Sequence, residues 1–96
     1  MSDFPREIAP NIDWFGNCLP VAKGSESYHA HLGVFLLQGE DKTLLVDTGM
    51  PRFWPSMKVQ LDAALRGRPL DYLFPTHPES PHAANTPNIL ERYPNC

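Results

Sequence analysis

Apolar and polar residues change their spacing along the chain, and each change marks a predicted element. Residues 8–19 mix apolar and turn residues, which suits a short strand or a turn. A polar turn at residues 23–27 leads into a strand at 28–38, where aromatic and branched side chains are frequent. After a hairpin bend at 39–42, the continuous apolar run Thr43–Val46 is typical of a strand buried on both faces of a sheet.

The period of the pattern changes after Asp47-Thr48-Gly49. Apolar residues then recur at three- and four-residue steps and predict a helix, which Gly67 ends: they are Trp54, Met57, Leu61, Ala64 and Leu65. A short strand follows at residues 70–74, and a last helix begins with Thr86 as its cap. A strand, a crossover helix and a second strand normally lie parallel in one sheet, with ligands at the carboxyl ends of the strands. The pattern therefore predicts an α/β fold with its chemistry in the two loops that follow these strands.

Composition and charge narrow the classes of function. Ninety-six residues, 42% of them hydrophobic, describe a single unit over residues 1–96. A net charge of −3 gives no basic surplus for binding nucleic acid or an anionic membrane. Residues 1–10 lack the basic and apolar segments of an export signal, and no apolar run approaches the about 20 residues that span a bilayer. We expect a cytoplasmic protein with no nucleic-acid or membrane partner, in which Cys18 and Cys96 are free thiols.

The loop at residues 76–82, called the metal loop below, carries the candidate chemistry. His77, Glu79 and His82 place two imidazoles and a carboxylate within six residues, and all three side chains bind zinc, iron or manganese. The helical metalloprotease motif needs histidines four apart on one helix face, and the prolines of this loop exclude a continuous helix. Residue type and spacing leave two interpretations open: a metal site, or surface histidines in a proline-rich turn. The position at the carboxyl end of a buried strand favours the metal site.

The two loops together resemble the opening half of the metallo-β-lactamase superfamily. The motifs are Leu-Leu-Val-Asp-Thr-Gly at residues 44–49 and Thr-His-Pro-Glu-Ser-Pro-His at residues 76–82. The resemblance covers about residues 28–93 and implies the amino-terminal half of an αββα sandwich, a partial domain. It also implies that His77 and Glu79 bind a first metal, that His82 belongs to a second, and that Asp47 braces the metal loop without binding metal. An aspartate that only caps a turn before Gly49 would have much the same geometry.

The metal loop departs from the usual family motif, His-x-His-x-Asp-His, at two positions. Glu79 stands where the second histidine is usual, and in this respect the loop resembles the flavodiiron and oxygen-binding di-iron branch. Pro81 replaces the aspartate and has no ligating atom, which weakens or removes the second metal site. The family completes its site with two further histidines and an aspartate from a second half, which these residues do not supply. We therefore expect a fragment, a chain that depends on a partner, or a chain that has lost metal binding.

Two more histidines lie on the predicted strand at residues 28–38. His29 and His31 are two residues apart and so share one face, which could turn toward the metal loop. In the family an asparagine often stands near the position of His29, which makes His29 a candidate for the edge of the site. The alternative, a pair of half-exposed strand histidines, is favoured by residue type.

Three functions follow from the resemblance. The first is metal-dependent hydrolysis of a small-molecule substrate, in which a divalent metal, zinc or iron, activates water; the catalytic residues are unknown. The second is a di-iron protein that binds or reduces oxygen, which Glu79 favours because a carboxylate beside imidazole suits iron. The third is a catalytically inactive half-domain whose exposed sheet forms a homo-oligomer or awaits the missing second half.

Overall fold

The computed structural model describes residues 5–96, apart from the side chain of Pro81. Residues 1–4, on which the expectation about an export signal partly depends, lie outside the described residues. The strands are β1 (Arg6–Ala9), β2 (Ile12–Lys23), β3 (Glu26–Gln38), β4 (Thr43–Val46) and β5 (Tyr72–Phe74). A 3-10 helix, Pro51–Phe53, precedes α1 (Trp54–Leu65), and α2 (Ser80–Ala83) and α3 (Thr86–Arg92) follow β5.

Within the described residues the five strands form one sheet, in the order of the chain. Strands β1 to β4 are antiparallel neighbours, whereas β4 and β5 pair in parallel. Since α1 connects β4 to β5, this pair is the predicted crossover unit, and the predicted α/β fold class is confirmed. No helix in residues 5–96 is long and apolar enough to cross a membrane.

The longest pairing in the sheet was only partly predicted. β2 is a 12-residue strand that pairs with β3 along its whole length, from Ile12 opposite Leu37 to Lys23 opposite Glu26. The expectation of a short strand or a turn was wrong because the local alternation of β2 is interrupted by glycine and proline. Its conformation depends on the partner strand, which a local pattern does not include.

Several element ends also differ from the predicted ones. β5 is shorter than predicted, because the Asp71 side chain accepts a hydrogen bond from the Thr43 N–H at 2.8 Å. α1 ends at Leu65; Arg66 is left-handed with φ of 52°, and Gly67, which was predicted to end the helix, also has a positive φ, 85°. Asn85 precedes the last helix, so the prediction of Thr86 as its cap is wrong by one residue.

The hydrophobic core lies between the helices and one face of the sheet. It contains, among others, Phe15, Val34, Leu36 and Leu45 from the strands and Met57, Leu61, Ala64 and Leu65 from α1. The predicted apolar stripe of α1 is thus confirmed, with Trp54 partly buried at its start. The expectation that β4 is buried on both faces was wrong. Leu45 is buried under the helices, but Leu44 and Val46 on the opposite face are partly exposed.

A charged contact fastens α3 to α1. The Asp62 carboxylate accepts hydrogen bonds from the Arg92 guanidinium and the Tyr93 hydroxyl. The hydrogen bond from Arg92 lowers the pKa of Asp62, against the effect of burial. Burial and the contact with Asp62 raise the pKa of Tyr93 to about 12. The contact therefore holds the carboxyl end of α3, the helix that follows the metal loop, against α1.

We expect Asp62→Asn to lower the free energy of unfolding slightly at neutral pH. The variant should also lose less stability than the unaltered chain as the pH falls into the acidic range. Asp62 is 42% exposed, so solvent screens the pair and the loss should be about 1 kcal/mol or less. Because the folded pKa lies below the unfolded value of about 4, the contribution is present above that pH and disappears as the pH falls through the folded pKa. Urea midpoints measured from neutral to acidic pH test this. Asp41→Asn, in the exposed β3–β4 bend, is the control, and an equal effect there would contradict the prediction.

Candidate metal centre

Two loops leave the same edge of the sheet side by side. The parallel strands β4 and β5 end with Val46 opposite Phe74. Asp47 follows the first strand, and the metal loop begins two residues after the second. The Asp47 N–H donates to the Phe74 carbonyl at 3.1 Å, so the two loops are in direct contact where they begin.

Asp47 is the residue that connects the two loops. Its backbone is left-handed, with φ of 69°, a conformation that aspartate tolerates better than most residues. The residue is only 7% exposed. Its Oδ1 accepts hydrogen bonds from the Thr76 N–H at 2.7 Å and the Thr76 hydroxyl at 2.8 Å, and its Oδ2 lies 2.9 Å from His82 Nδ1. One carboxylate therefore holds both ends of the metal loop.

The charge of Asp47 decides which nitrogen of His82 is available. Burial raises the pKa of Asp47, but the hydrogen bonds from the Thr76 N–H, from His82 and from the Thr76 hydroxyl together lower it below its ordinary value. Asp47 is therefore ionised at neutral pH and only accepts hydrogen bonds, so His82 Nδ1 carries the hydrogen between them. In the neutral ring this leaves Nε2 of His82 with a free lone pair, the form that binds a metal.

His77 and Glu79 lie at the exposed side of the metal loop. Their side chains are 51% and 73% exposed. The Glu79 N–H donates to His77 Nδ1 at 3.2 Å, and the Glu79 carboxylate lies 3.2 Å from the same nitrogen. When Nδ1 accepts this hydrogen bond, the neutral ring carries its hydrogen on Nε2, so metal binding through Nε2 would need that hydrogen to move to Nδ1, next to the Glu79 carboxylate.

The two imidazoles of the metal loop are neighbours. The ring centres of His77 and His82 are 5.5 Å apart and the rings are inclined by 52°. With zinc–nitrogen distances of about 2.0–2.1 Å, two histidines on one tetrahedral ion have ring centres roughly 5 Å apart. The spacing of the two rings thus fits a shared ion.

The metal loop nevertheless offers too few metal ligands for a complete site. Within residues 5–96, no group of three or more His, Cys, Asp or Glu side chains is arranged to hold a metal ion. The loop brings His77 and His82 together, while the Glu79 carboxylate contacts His77 and does not complete a set of three around one point. A catalytic zinc usually has three protein ligands and an open position. The donor chemistry fits a divalent ion, but the described arrangement is an incomplete site.

The two strand histidines lie on the part of the β2–β3 hairpin that extends past this edge, and their surroundings differ. Because β3 runs antiparallel to β4 and Phe35 pairs with Val46, the residues before Phe35 project beyond the edge that carries the metal loop. His31 packs its ring against Trp14, with ring centres 4.8 Å apart, and its Nε2 lies 3.3 Å from the Phe15 carbonyl. His29 is exposed on the projecting part of the β2–β3 hairpin.

Three polar residues that shape this edge were given no role by the sequence: Thr48, Thr76 and Asn85. Asn85 is fully buried, and its side chain donates to the Thr48 carbonyl at 2.8 Å while its N–H donates to the Thr48 hydroxyl at 3.1 Å. Thr76 provides the two hydrogen bonds to Asp47 described above. The available signals were the polar residue just before the last helix and the Thr that opens the metal-loop motif.

Comparison with known families identifies both loops as part of one pattern. The family model described as Metallo-beta-lactamase superfamily matches residues 34–96, which include β4, α1, β5 and the whole metal loop. No match to the chain was found among curated proteins.

Proposed function

Because the chain belongs to the metallo-β-lactamase superfamily, we propose that it is the metal-loop half of a metal-dependent hydrolase. The five-stranded sheet with its helices is consistent with a partial fold of this family, whose members have a metal-binding, hydrolase-like fold. The observation that carries the proposal is the 2.9 Å contact between Asp47 and His82 Nδ1, beside the ring of His77. A structural turn needs no such orientation of a histidine.

In this proposal His77, Glu79 and His82 hold a divalent metal, zinc or iron, and Asp47 orients His82. A carboxylate that accepts from a ligating imidazole fixes its tautomer and makes its other nitrogen more basic. The exposed Glu79 side chain is free to rotate away from His77 toward the ion, because solvent surrounds most of it. The remaining ligands would come from a second half-domain or a partner chain. The metal would supply Lewis-acid activation of water and of the bond under attack in a small-molecule substrate.

A di-iron, oxygen-binding function is the second candidate, and Glu79 is the observation that favours it. A carboxylate beside imidazole suits iron better than histidines alone. Pro81 opposes this candidate, because it occupies the position where the family motif has an aspartate for the second metal. An inactive half-domain is the third candidate, supported by the partly exposed Leu44 and Val46 on the uncovered face of the sheet. A cytoplasmic location stays a prediction from composition.

Removal and return of metal test the proposed function. We expect protein stripped with a chelator to bind zinc again. With the second half-domain or partner chain that completes the site present, we expect turnover of an ester or lactone to disappear with chelation and to return with zinc. Both effects follow if His77 and His82 supply ligands to the ion that activates water. Metal content by mass spectrometry and hydrolysis by absorbance are the measurements. Bound iron with an oxygen-dependent absorption band would favour the di-iron candidate instead, and a chain that neither binds metal nor turns over substrate would favour the inactive half-domain.

A further inference from the structure

Asn85 is a buried polar residue that the proposed metal chemistry does not use. It is fully buried and lies between α2, which carries His82, and α3. Its N–H donates to the Thr48 hydroxyl at 3.1 Å, and its side-chain amide donates to the Thr48 carbonyl at 2.8 Å. Its side-chain oxygen accepts a hydrogen bond from the Asn88 side chain at 3.0 Å. A buried amide needs such partners, and here both donating groups point to one residue of the other loop.

His82 and Asn85 bind two consecutive residues of that other loop. The backbone from His82 to Ala84 is right-handed helical. Residues three apart in a helical turn lie on one side of it, so His82 and Asn85 face the same way. His82 Nδ1 lies 2.9 Å from the carboxylate of Asp47, and Asn85 bonds to Thr48, the next residue of the chain. The two loops are therefore joined at two neighbouring points, one of which is the contact that orients His82.

The backbone of Asp47 explains why the second point matters to the first. Its φ of 69° is uncommon for a residue with a side chain, and such conformations persist where surrounding bonds fix them. On one side the Asp47 N–H donates to the Phe74 carbonyl at 3.1 Å. On the other side the fully buried Thr48 is bonded to Asn85. Without the side chain of Asn85, the Thr48 carbonyl loses a partner, and the conformation that aims the Asp47 carboxylate at His82 loses a support.

We infer that Asn85 is a positioning residue for the candidate metal centre. Through Thr48 it holds the Asp47 turn against the metal loop, and so keeps the hydrogen bond between Asp47 and His82 in place. Asn85 acts at a distance and is not itself a metal ligand. Its effect on metal affinity rests on the proposed function, in which His82 is a ligand, whereas the bond between Asp47 and His82 is present without metal.

Asn85→Ala, compared with Ile89→Ala, separates positioning from stability. Ile89 is a fully buried core residue of α3, so its truncation lowers stability without removing a hydrogen bond to Thr48. Long-range proton–nitrogen NMR spectra of the metal-free chain, recorded at mildly alkaline pH so that the rings are neutral, report which nitrogen of His82 carries the hydrogen. We expect Nδ1–H in the unaltered chain and in Ile89→Ala, but a mixture of the two tautomers in Asn85→Ala.

A zinc titration of the same proteins measures the consequence for the metal. Removing a group that supports a ligand directly costs about 10–100-fold in affinity, and Asn85 acts one step further away. We therefore expect Asn85→Ala to bind zinc about tenfold more weakly than the unaltered chain, and Ile89→Ala to bind as tightly as the unaltered chain. If circular dichroism shows that Asn85→Ala does not fold, Thr48→Val applies the same test, because it keeps the shape of the side chain and removes the hydroxyl that accepts the Asn85 N–H.

Three results in the metal-free spectra would overturn the role of Asn85. They are a hydrogen on Nε2 of His82 in the unaltered chain, an unchanged Nδ1–H in Asn85→Ala, and an equal mixture of tautomers in Asn85→Ala and Ile89→Ala. Failure of the proposed function looks different. If the unaltered chain binds no zinc, or if Asn85→Ala changes the tautomer without changing zinc affinity, His82 is not a ligand, while its orientation by Asn85 is still supported by the change of tautomer.

Discussion

Replacing His77 and His82 together by alanine is expected to lower zinc affinity by more than about a hundredfold while the fold stays intact. Loss of residues that only support a metal ligand already costs about 10–100-fold in affinity, so loss of two ligands should cost more. Neither ring belongs to the hydrophobic core, and their side chains are 51% and 38% exposed. Competition with a chromophoric chelator measures the affinity, and circular dichroism confirms the fold.

Glu79→Gln examines the third proposed ligand in the same titration. The neutral amide keeps the shape of the side chain but binds a divalent ion more weakly than a carboxylate does. Glu40→Gln is the matched control, because Glu40 is an exposed carboxylate in the β3–β4 bend, away from the metal loop. We expect zinc to bind more weakly to Glu79→Gln than to the unaltered chain, and to bind Glu40→Gln as tightly as the unaltered chain.

For the double histidine variant, an unchanged zinc affinity would show that zinc binds elsewhere on the chain.

The largest expected effect on stability is that of Gly16→Ala. A Cβ at this position would lie 2.1 Å from the backbone oxygen of Leu32, which belongs to the paired strand and cannot rotate away. The backbone φ of 122° is also one that residues with a side chain rarely adopt. In addition, the Gly16 N–H donates to the buried Gln60 side chain at 2.9 Å, which attaches β2 to α1. A clash here would disturb that contact, so we expect a loss of about 3 kcal/mol or more.

Urea unfolding of Gly16→Ala and Gly24→Ala separates the stability lost through the clash from the stability lost through the left-handed backbone. Gly24 also has a positive φ, 63°, but no atom lies within 4 Å of the position of its Cβ. Its substitution should therefore cost only about 1–2 kcal/mol, the price of the left-handed conformation. Similar small losses in both variants would mean that the strands separate easily at Gly16 and that the long β2–β3 pairing is weak.

Elements with a strong local pattern were predictable from the sequence, and those that depend on distant partners were not. β4 and the stripe of α1 follow directly from the spacing of apolar residues. The length of β2 does not, since Gly16 and Pro20 weaken its pattern and only the pairing with β3 shows that the strand continues. The need for glycine at residue 16 likewise arises from the Leu32 carbonyl, which the sequence around Gly16 does not reveal.

For the candidate site too, some features were predictable from the sequence and others were not. The residue types and their position after parallel strands indicated where the chemistry would lie, and His77 and His82 are indeed neighbours there. The bonds that hold the metal loop join segments far apart in sequence: Thr76 to Asp47, and Asn85 to Thr48. Such side-chain bonds depend on the folded positions of both segments, so the spacing of residues did not predict them. That Asp47 would brace the metal loop was expected from the family resemblance alone. The role of the histidines as ligands stays a prediction.

The proposed metal binding depends on the imidazole of His82 being held at Nδ1, so that Nε2 is available to an ion shared with His77. Long-range proton–nitrogen NMR spectra of the histidine rings, recorded without and with zinc, test this most directly. We predict that zinc shifts Nε2 of both histidines while Nδ1 of His82 keeps its hydrogen bond to Asp47. Ring nitrogens that do not respond to zinc, or zinc bound through Nδ1 of His82, would contradict the account.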